Sequence, residues 1–305
     1  MSQHPPSHHP PTTDTNGRDV FPDCGVHPNL PVITVITVVL NGRRHIEQTI
    51  HSVIDQKYPR LEYIIIDGGS SDGTLDVIRC YESAISCWSS GPDNGIYDAM
   101  NKGIARAHGD LIALLNSDDY YEPGALQAVA DTYLRHSGAS GLYYGSSFVI
   151  HDDLQMRYAA PANCRHWCGM GYFHPAMFAT RDVYERVGLY PIAYRYAADY
   201  DFLLTALDRG IAQYPVDAML VNYRSSGLSA VHAGQTLREI RIINGCHFPA
   251  LSMAHVSCLL LCAKSILLLT LERVVNVLAG PAVLQRLRRI YLTKVIARHA
   301  PSHEV

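Results

Sequence analysis

The sequence lacks several of the signals that would place it at once. No apolar run follows the starting methionine, so no cleavable secretory leader is expected. The eight cysteines show no disulfide-framework spacing, which argues against a stapled secreted fold and suits a reducing cytoplasm. A net charge of −3 gives no large excess of either sign, so the molecule is not built to grip nucleic acid. Cys164-Arg165-His166-Trp167-Cys168 has the look of half a zinc site but no convincing second pair of ligands, and no metal is expected there.

What the chain does have is ample apolar residue, 48% of 305, enough for one large domain or two small ones. The most informative stretch is Leu111-Ile112-Ala113-Leu114-Leu115, an apolar run that stops at Asn116-Ser117-Asp118-Asp119. Such a run reads as a strand buried on both faces. Open α/β sheets bind ligands beyond the carboxyl ends of their strands, so its end is where chemistry is expected. Two hard carboxylates there suit Mg²⁺ or Mn²⁺ with coordination positions left for phosphate oxygens. An acid pair before Pro123-Gly124 also reads as a helix cap.

The remaining elements follow in order. Residues 1–30 are rich in Pro, His, Thr, Asn and Asp without apolar periodicity and read as a disordered lead-in. Val32 to Leu40 is β-branched almost throughout and reads as a buried first strand, broken at Asn41-Gly42. Ile46, Ile50, Val53 and Ile54 recur at helical spacing, and Leu61 to Ile66 makes the next strand. That order implies a parallel pair and a right-handed crossover. In the turn Asp67-Gly68-Gly69-Ser70-Ser71-Asp72-Gly73-Thr74, Ser70 and Asp72 are placed to cap a helix, while Asp67 at a strand end can accept from a base or ribose. Ile85 to Ser90 is a short strand leading to Asp93-Asn94-Gly95, and a helix capped by Asp98 runs to about His108 with Asn101 and Lys102 in its first turn. A helix start favours phosphate, and Lys102 would add a full charge; a solvated face is the alternative for it. Gly141 to Ile150 and Phe173 to Phe178 read as further strands, the latter carrying one structural histidine, His174. Tyr196 to Leu207 reads as a helix whose first turn holds Asp199 and Asp201, acids that at the least complement its dipole. Alternating β and α units give one α/β domain with a mostly parallel sheet.

Five blocks in this order resemble the family-2 glycosyltransferases of the GT-A fold, particularly bacterial enzymes of exopolysaccharide assembly. They are Thr37 to Asn41, Ile66 to Thr74, Asp93 to Gly103, Leu115 to Asp119, and Ala198 to Asp201, within a stretch running from about Val32 to Ser229. The resemblance implies a nucleotide-sugar donor, UDP being the commonest nucleotide, held by Asn41, Asp67, Ser70, Asp72, Asp93, Asp98, Asn101, Lys102, Asn116 and Asp119. It implies Asp118 as the ligand of a Mg²⁺ or Mn²⁺ ion, with Asn116 at the first position of the family's Asp-x-Asp motif. The family base is the Asp of a Glu-Asp pair, so Asp199 takes that role by resemblance, with Ala198 in place of the Glu and Asp201 in reserve. A Gln-x-x-Arg-Trp block, the mark of processive members, is missing after Asp201; Arg224 to Ser229 stands roughly where it would be. The expected activity is inverting, non-processive transfer of one sugar to a glycan or lipid-linked acceptor in cell-surface polysaccharide synthesis. Departures at Asn116 and Ala198 keep a non-catalytic sugar-nucleotide binder in view. A nucleotidyltransferase would carry a Gly-rich basic loop where Asn41-Gly42-Arg43-Arg44 stands.

The division expected is a lead-in over 1–30, a GT-A domain over 31–240 and a helical extension over 241–305. Residues 251–271 are long enough as a helix, roughly 30 Å, to span a bilayer, but Lys264 falls near the centre, where a charge is costly. Beyond Pro281, apolar residues alternate with Arg286, Arg288, Arg289, Lys294 and Arg298. The expected arrangement is peripheral attachment to the anionic inner face of the cell membrane, with a buried or dimer-forming helix pair as the alternative.

Overall fold

The computed structural model describes residues 29–164, 166, 169–225, 232–249 and 252–299, together with Thr12–Thr13 and Asp19–Val20, which pair antiparallel. The rest of the lead-in expected over 1–30 lies outside the described residues, as do Arg165, Trp167 and Cys168. No cluster of three or more His, Cys, Asp or Glu able to hold a metal occurs among the described residues.

All seven residues of β1 (Ile33–Val39) are buried, as its β-branched run demands. Its parallel neighbours are β2 (Leu61–Asp67) and β4 (Leu111–Asn116), with Ile36 opposite both Ile64 and Leu114. β3 (Cys87–Ser90) adds parallel to β2. Helices α1 (Ile46–Ile54), α2 (Thr74–Cys80) and α3 (Ile96–Ile104) follow β1, β2 and β3, so the carboxyl ends of these parallel strands share one edge. Apolar side chains fill both faces of the sheet: Val35, Ile50, Leu126 and Phe178 belong to one cluster, and Ile36, Met100, Leu114 and Phe202 to the other.

α3 starts after Gly95 and ends at Ile104, earlier at both ends than expected. Asn101 and Lys102 therefore lie in its second half, away from the free N–H groups of the helix start. The helix also contains Gly103, where a Cβ would collide with Cγ2 of Ile36 in β1. A missing side chain lets the helix seat directly on the strand.

The second half of the chain continues the same sheet. After β5 (Tyr120–Tyr121) and α4 (Ala125–Arg135) come β6 (Leu142–His151), β7 (Met156–Ala160), β8 (Met177–Thr180), α5 (Arg181–Val187), α6 (Ala198–Asp208) and β9 (Gln213–Arg224). The nine-stranded sheet has the order β3-β2-β1-β4-β8-β6-β9-β5, with β7 paired to β6. β8 lies antiparallel between β4 and β6, while β9 runs parallel to β6. The strand expected over Phe173 to Phe178 begins only at Met177, because His174–Ala176 forms a 3₁₀ turn. Pro175 has no N–H to give a ladder, which keeps this segment out of the sheet.

Three helices close the described chain: α7 (Ala233–His247), α8 (Met253–Ala279) and α9 (Pro281–His299). α7 runs through the division expected at residue 240 and packs on α6. No described helix is long and apolar enough to cross a membrane. Glu272 of α8 takes a bidentate contact from Arg288 of α9, at 2.7 and 2.6 Å. Val283, Leu287, Ile290 and Tyr291 of α9 recur at i, i+4, i+7 and i+8 spacing and are exposed, beside exposed Arg286, Arg289 and Lys294.

Candidate active site

A cleft of 970 Å³ opens at the carboxyl edge of the parallel strands. Its lining joins the ends of β1 and β4 to the start of α6, and so brings Asn41, Asp93, Asn116, Asp118, Asp119 and Asp199 to one space. Tyr97, His174 and Tyr223 line it too, and α7 contributes Thr236 and Ile240.

At the end of β4 the two acids differ. Asp119 is buried: Oδ1 accepts the backbone N–H of Arg224 at 2.8 Å, and Oδ2 accepts Nδ2 of Asn116 at 3.3 Å. Burial, with the neighbouring Asp118 charge second, pushes its carboxyl well above the ordinary range. Asp118 is less enclosed, and burial raises its carboxyl as well, opposed by nearby His45 and Arg224. The Asn116 Oδ1 is buried without a partner.

Arg224, at the end of β9, holds this acid turn from behind. Its guanidinium donates to Asp152 Oδ2 at 3.0 Å, to Gln48 Oε1 at 2.7 Å and to the carbonyl of Asp118, and it lies 5.4 Å from the centre of the Tyr120 ring. Sequence reasoning noted the position of Arg224 and gave it no role; its partners lie 72 to 176 residues away, beyond the reach of local pattern. His45, just before α1, lines the cleft, and burial followed by Arg224 and Arg44 lowers its pKa.

Asp199 stands in the first turn of α6, and its Oδ1 accepts the Tyr97 hydroxyl at 2.9 Å. Burial and then the Asp199 charge push the Tyr97 phenol far above its usual range, so it stays a donor. Tyr97 falls inside the Asp93 to Gly103 block, whose local pattern gives no sign of a contact 102 residues away. His174 is the satisfied histidine expected: Nε2 lies 3.0 Å from the Tyr190 hydroxyl, and burial lowers its pKa.

Most other expected residues, Asn41 excepted, are not brought to the cleft lining. Asp201, two residues beyond Asp199, pairs with His247 of α7 at 3.3 Å instead. Asp67 is buried under its own turn, where Oδ2 accepts the Gly69 and Ser70 N–H groups, both at 2.9 Å, and the Ser90 hydroxyl at 2.6 Å. Ser70 and Asp72 tie that turn to the preceding one, accepting the backbone N–H groups of Asn41 and Arg43 at 2.7 and 3.1 Å. Asn41 adopts φ +52°, a left-handed conformation that Asn tolerates, and its Oδ1 accepts the Ser71 N–H at 2.9 Å. Asp98 is not the cap of α3 but folds back on Asn94, accepting its N–H at 2.9 Å, and pairs with Lys102 at 3.0 Å. Asn101 makes two hydrogen bonds to the backbone of Tyr190, at 2.8 and 3.0 Å, tying α3 to the segment before α6.

The donor set suits a hard divalent ion held largely by its ligand. Asp118 offers a carboxylate to the cleft, and Asn116 has a carbonyl oxygen without a protein partner.

Comparison with known proteins places this architecture. The model of glycosyl transferase family 2 matches residues 34–180. A glycosyltransferase of Mycobacterium tuberculosis, Rv1514c, is 34% identical over 181 residues, covering 58% of this chain and 69% of that protein. A PGL/p-HBAD biosynthesis glycosyltransferase of Mycobacterium bovis is 30% identical over 177 residues, covering 56% and 68%. Among solved structures, S. aureus TarS in complex with UDP-GlcNAc superposes with a TM-score of 0.57 at 17% identity, covering 73% of this chain and 68% of that one. The mannosyltransferase PcManGT from Pyrobaculum calidifontis, in complex with GDP-Man and Mn²⁺, gives 0.53 at 16%, covering 91% and 89%. The GT-A architecture is thus shared with proteins of little sequence likeness, and four of the five motif blocks lie inside residues 34–180, with Ala198 to Asp201 following them. With a third of the aligned residues identical across two-thirds of a glycosyltransferase, the chain belongs to the family-2 glycosyltransferases and is a sugar-transferring enzyme.

Proposed function

We propose that this enzyme transfers a single sugar, with inversion, from a nucleoside-diphosphate donor to a hydroxyl of a glycan or lipid-linked acceptor in cell-surface polysaccharide synthesis. One observation carries the reading: Asp118 and Asp199, far apart in sequence, line the same cleft. The donor diphosphate lies at the β4 end and the acceptor hydroxyl at the α6 start. Asp199 takes the hydroxyl proton as the oxygen attacks the anomeric carbon from the face opposite the diphosphate. The anomeric carbon–oxygen bond to phosphate breaks, and its electron pair leaves with the nucleotide. Tyr97 holds Oδ1 of Asp199, which orients the carboxylate toward the acceptor. A bound Mg²⁺ or Mn²⁺ ion supplies charge neutralisation for the leaving diphosphate, with Asp118 and the Asn116 carbonyl as its protein ligands. UDP is the favoured nucleotide as the commonest of the family, and UDP-GlcNAc is bound in one structural neighbour where GDP-Man is bound in another. Transfer of one sugar per encounter fits the lack of a Gln-x-x-Arg-Trp block.

The carboxyl helices support a location at the acceptor's surface. α8 leaves Leu260, Leu267 and Val277 exposed at 66%, 68% and 83%, and α9 adds exposed Arg286, Arg289 and Lys294. Apolar and basic groups side by side suit the anionic inner leaflet of the cell membrane. Sedimentation with vesicles tests this: binding that requires anionic lipid and falls with salt is expected, and indifference to lipid charge refutes it.

The central test is a screen of UDP- and GDP-sugars for nucleoside diphosphate release with Mn²⁺ or Mg²⁺ and with a chelator. Asp199→Asn should lower turnover by about 10²–10⁴-fold while sparing donor binding. Asp118→Ala should instead weaken metal-dependent binding, measured calorimetrically with UDP and Mn²⁺. Normal turnover in Asp199→Asn removes that residue as the base.

A further inference from the structure

The family pattern places a Glu directly before the base, and here that position is Ala198. α6 accordingly starts without any side-chain cap: Ala197 is its first flanking residue, and no side chain of the helix bonds its free N–H groups. The carboxylate missing from the turn arrives from elsewhere. Glu239, near the middle of α7, accepts the backbone N–H of Arg195 at Oε1, 2.8 Å away. Its Oε2 accepts those of Tyr196 and Ala197 at 2.8 and 2.9 Å. Three consecutive donors converge on one half-buried carboxylate, which comes 42 residues after Ala197. Bonds to a charged acceptor are about twice as strong as neutral ones.

We infer that Glu239 is a positioning residue for the base, so that α7, part of it beyond the expected catalytic domain, belongs to the catalytic unit. The inference rests on the reading of Asp199 as the proton acceptor. The turn that Glu239 gathers ends two residues before Asp199. With Tyr97 holding Oδ1 on the other side, the carboxylate is fixed from two directions. α7 is itself anchored along α6. Asn244 Oδ1 lies 2.9 Å from the Tyr200 hydroxyl, and His247 contacts Asp201 and Asp208 at 3.3 and 2.6 Å. On the face that carries Glu239, Thr236 and Ile240 reach the cleft itself. The same helix thus touches the acceptor space and sets the group that acts there. Asp201, expected in reserve as a base, serves this anchoring.

The test uses the full chain with Mn²⁺ and a panel of UDP- and GDP-linked hexoses, reading nucleoside diphosphate release for Glu239→Gln, Glu239→Ala and Asp199→Asn. A misplacement of about 1 Å at a reacting group costs on the order of 10²-fold, so Glu239→Ala should lose about that much in kcat with little change in affinity for UDP and Mn²⁺. Glu239→Gln should also fall, because its amide nitrogen faces a backbone N–H. Acetate added at constant ionic strength should restore part of the Glu239→Ala rate and none of the Asp199→Asn rate. Independently of any donor, hydrogen exchange at the amides of Arg195, Tyr196 and Ala197 should quicken by about tenfold or more in Glu239→Ala. Unchanged exchange at these amides, or an unchanged kcat, overturns the inference. A loss of UDP affinity as large as the loss of kcat overturns it as well, because it marks general damage. Full turnover in Asp199→Asn instead strikes the base assignment, and with it any positioning role toward that residue.

Discussion

Replacing Arg224 by Met tests how the acid turn is supported. The side chain is 8% exposed, and Met keeps most of its apolar stem while removing the fork of donors. The losses are unequal. Asp152 is 39% exposed and regains water, so that pair is worth at most about 1 kcal/mol, as at a surface. Gln48 is exposed and rehydrates at little cost. The Asp118 carbonyl is left without its donor at an enclosed site, which costs about 1–3 kcal/mol. The ring contact with Tyr120 adds about 0.5–1 kcal/mol. Together these give about 1.5–5 kcal/mol, and at roughly 2–4 °C per kcal/mol the melting temperature should fall by roughly 3–20 °C. Affinity for UDP with Mn²⁺ should fall as well, because a positive charge beside Asp118 and Asp119 is gone. Arg224→Lys should recover little stability, since an ammonium cannot reach three acceptors in a plane. Urea denaturation and calorimetric titration measure both effects. An Arg224→Met protein within about 0.5 kcal/mol of the unaltered chain would refute the support described, since that is the range of neutral surface changes.

Asp119→Asn should stabilise the metal-free protein near neutrality. Its carboxyl is raised by burial and by Asp118, so its contribution is present below the unfolded value, about 3.9, and is lost as pH climbs through the folded one. The advantage of the Asn variant should therefore appear at pH 7 and shrink toward about pH 4; melting curves with parallel pH dependence would contradict it. The amide can keep the Arg224 N–H on Oδ1 and offer its nitrogen to the unpaired Asn116 oxygen once that amide turns. Gly103→Ala should destabilise even though Ala gains about 1 kcal/mol of helix propensity, because collision with Ile36 costs about 1–3 kcal/mol, and pairing it with Ile36→Ala should give a smaller loss than the two single effects added. Asp201→Asn should cost turnover far less than the roughly 10²–10⁴-fold loss expected of Asp199→Asn, as nucleoside diphosphate release would register.

Much of this architecture is legible from residue order because the parallel half of the sheet is written in continuous apolar runs. β1, β2 and β4 are buried on both faces and read as strands without ambiguity, and the acids that follow β4 fall at the edge where the cleft opens. Asp118, Asp119 and Asp199 are visible for the same reason: each ends or begins an element whose pattern is strong. Asn101 and Lys102 misled, since Asp98 resembles a cap while Gly95, three residues earlier, opens the helix. Asp67 looked like a ligand-facing acid, but a carboxylate at a tight glycine turn satisfies the turn's own N–H groups first. Arg224 and Glu239 were opaque because each works across more than 40 residues and sits in a segment whose local pattern says only strand or helix.

The order of the strands also sets a timetable. Asp119 meets the Arg224 N–H across 105 residues, and β8 and β6 must both be seated before β9 can bring it there. At roughly 5–20 residues per second of synthesis, the growing chain carries its acid turn for roughly 5–20 s before the strand that closes it has left the ribosome. For the first part of that interval, until β8 arrives, β4 has a completed parallel partner on one flank and an open edge on the other, so the nascent enzyme needs shielding there.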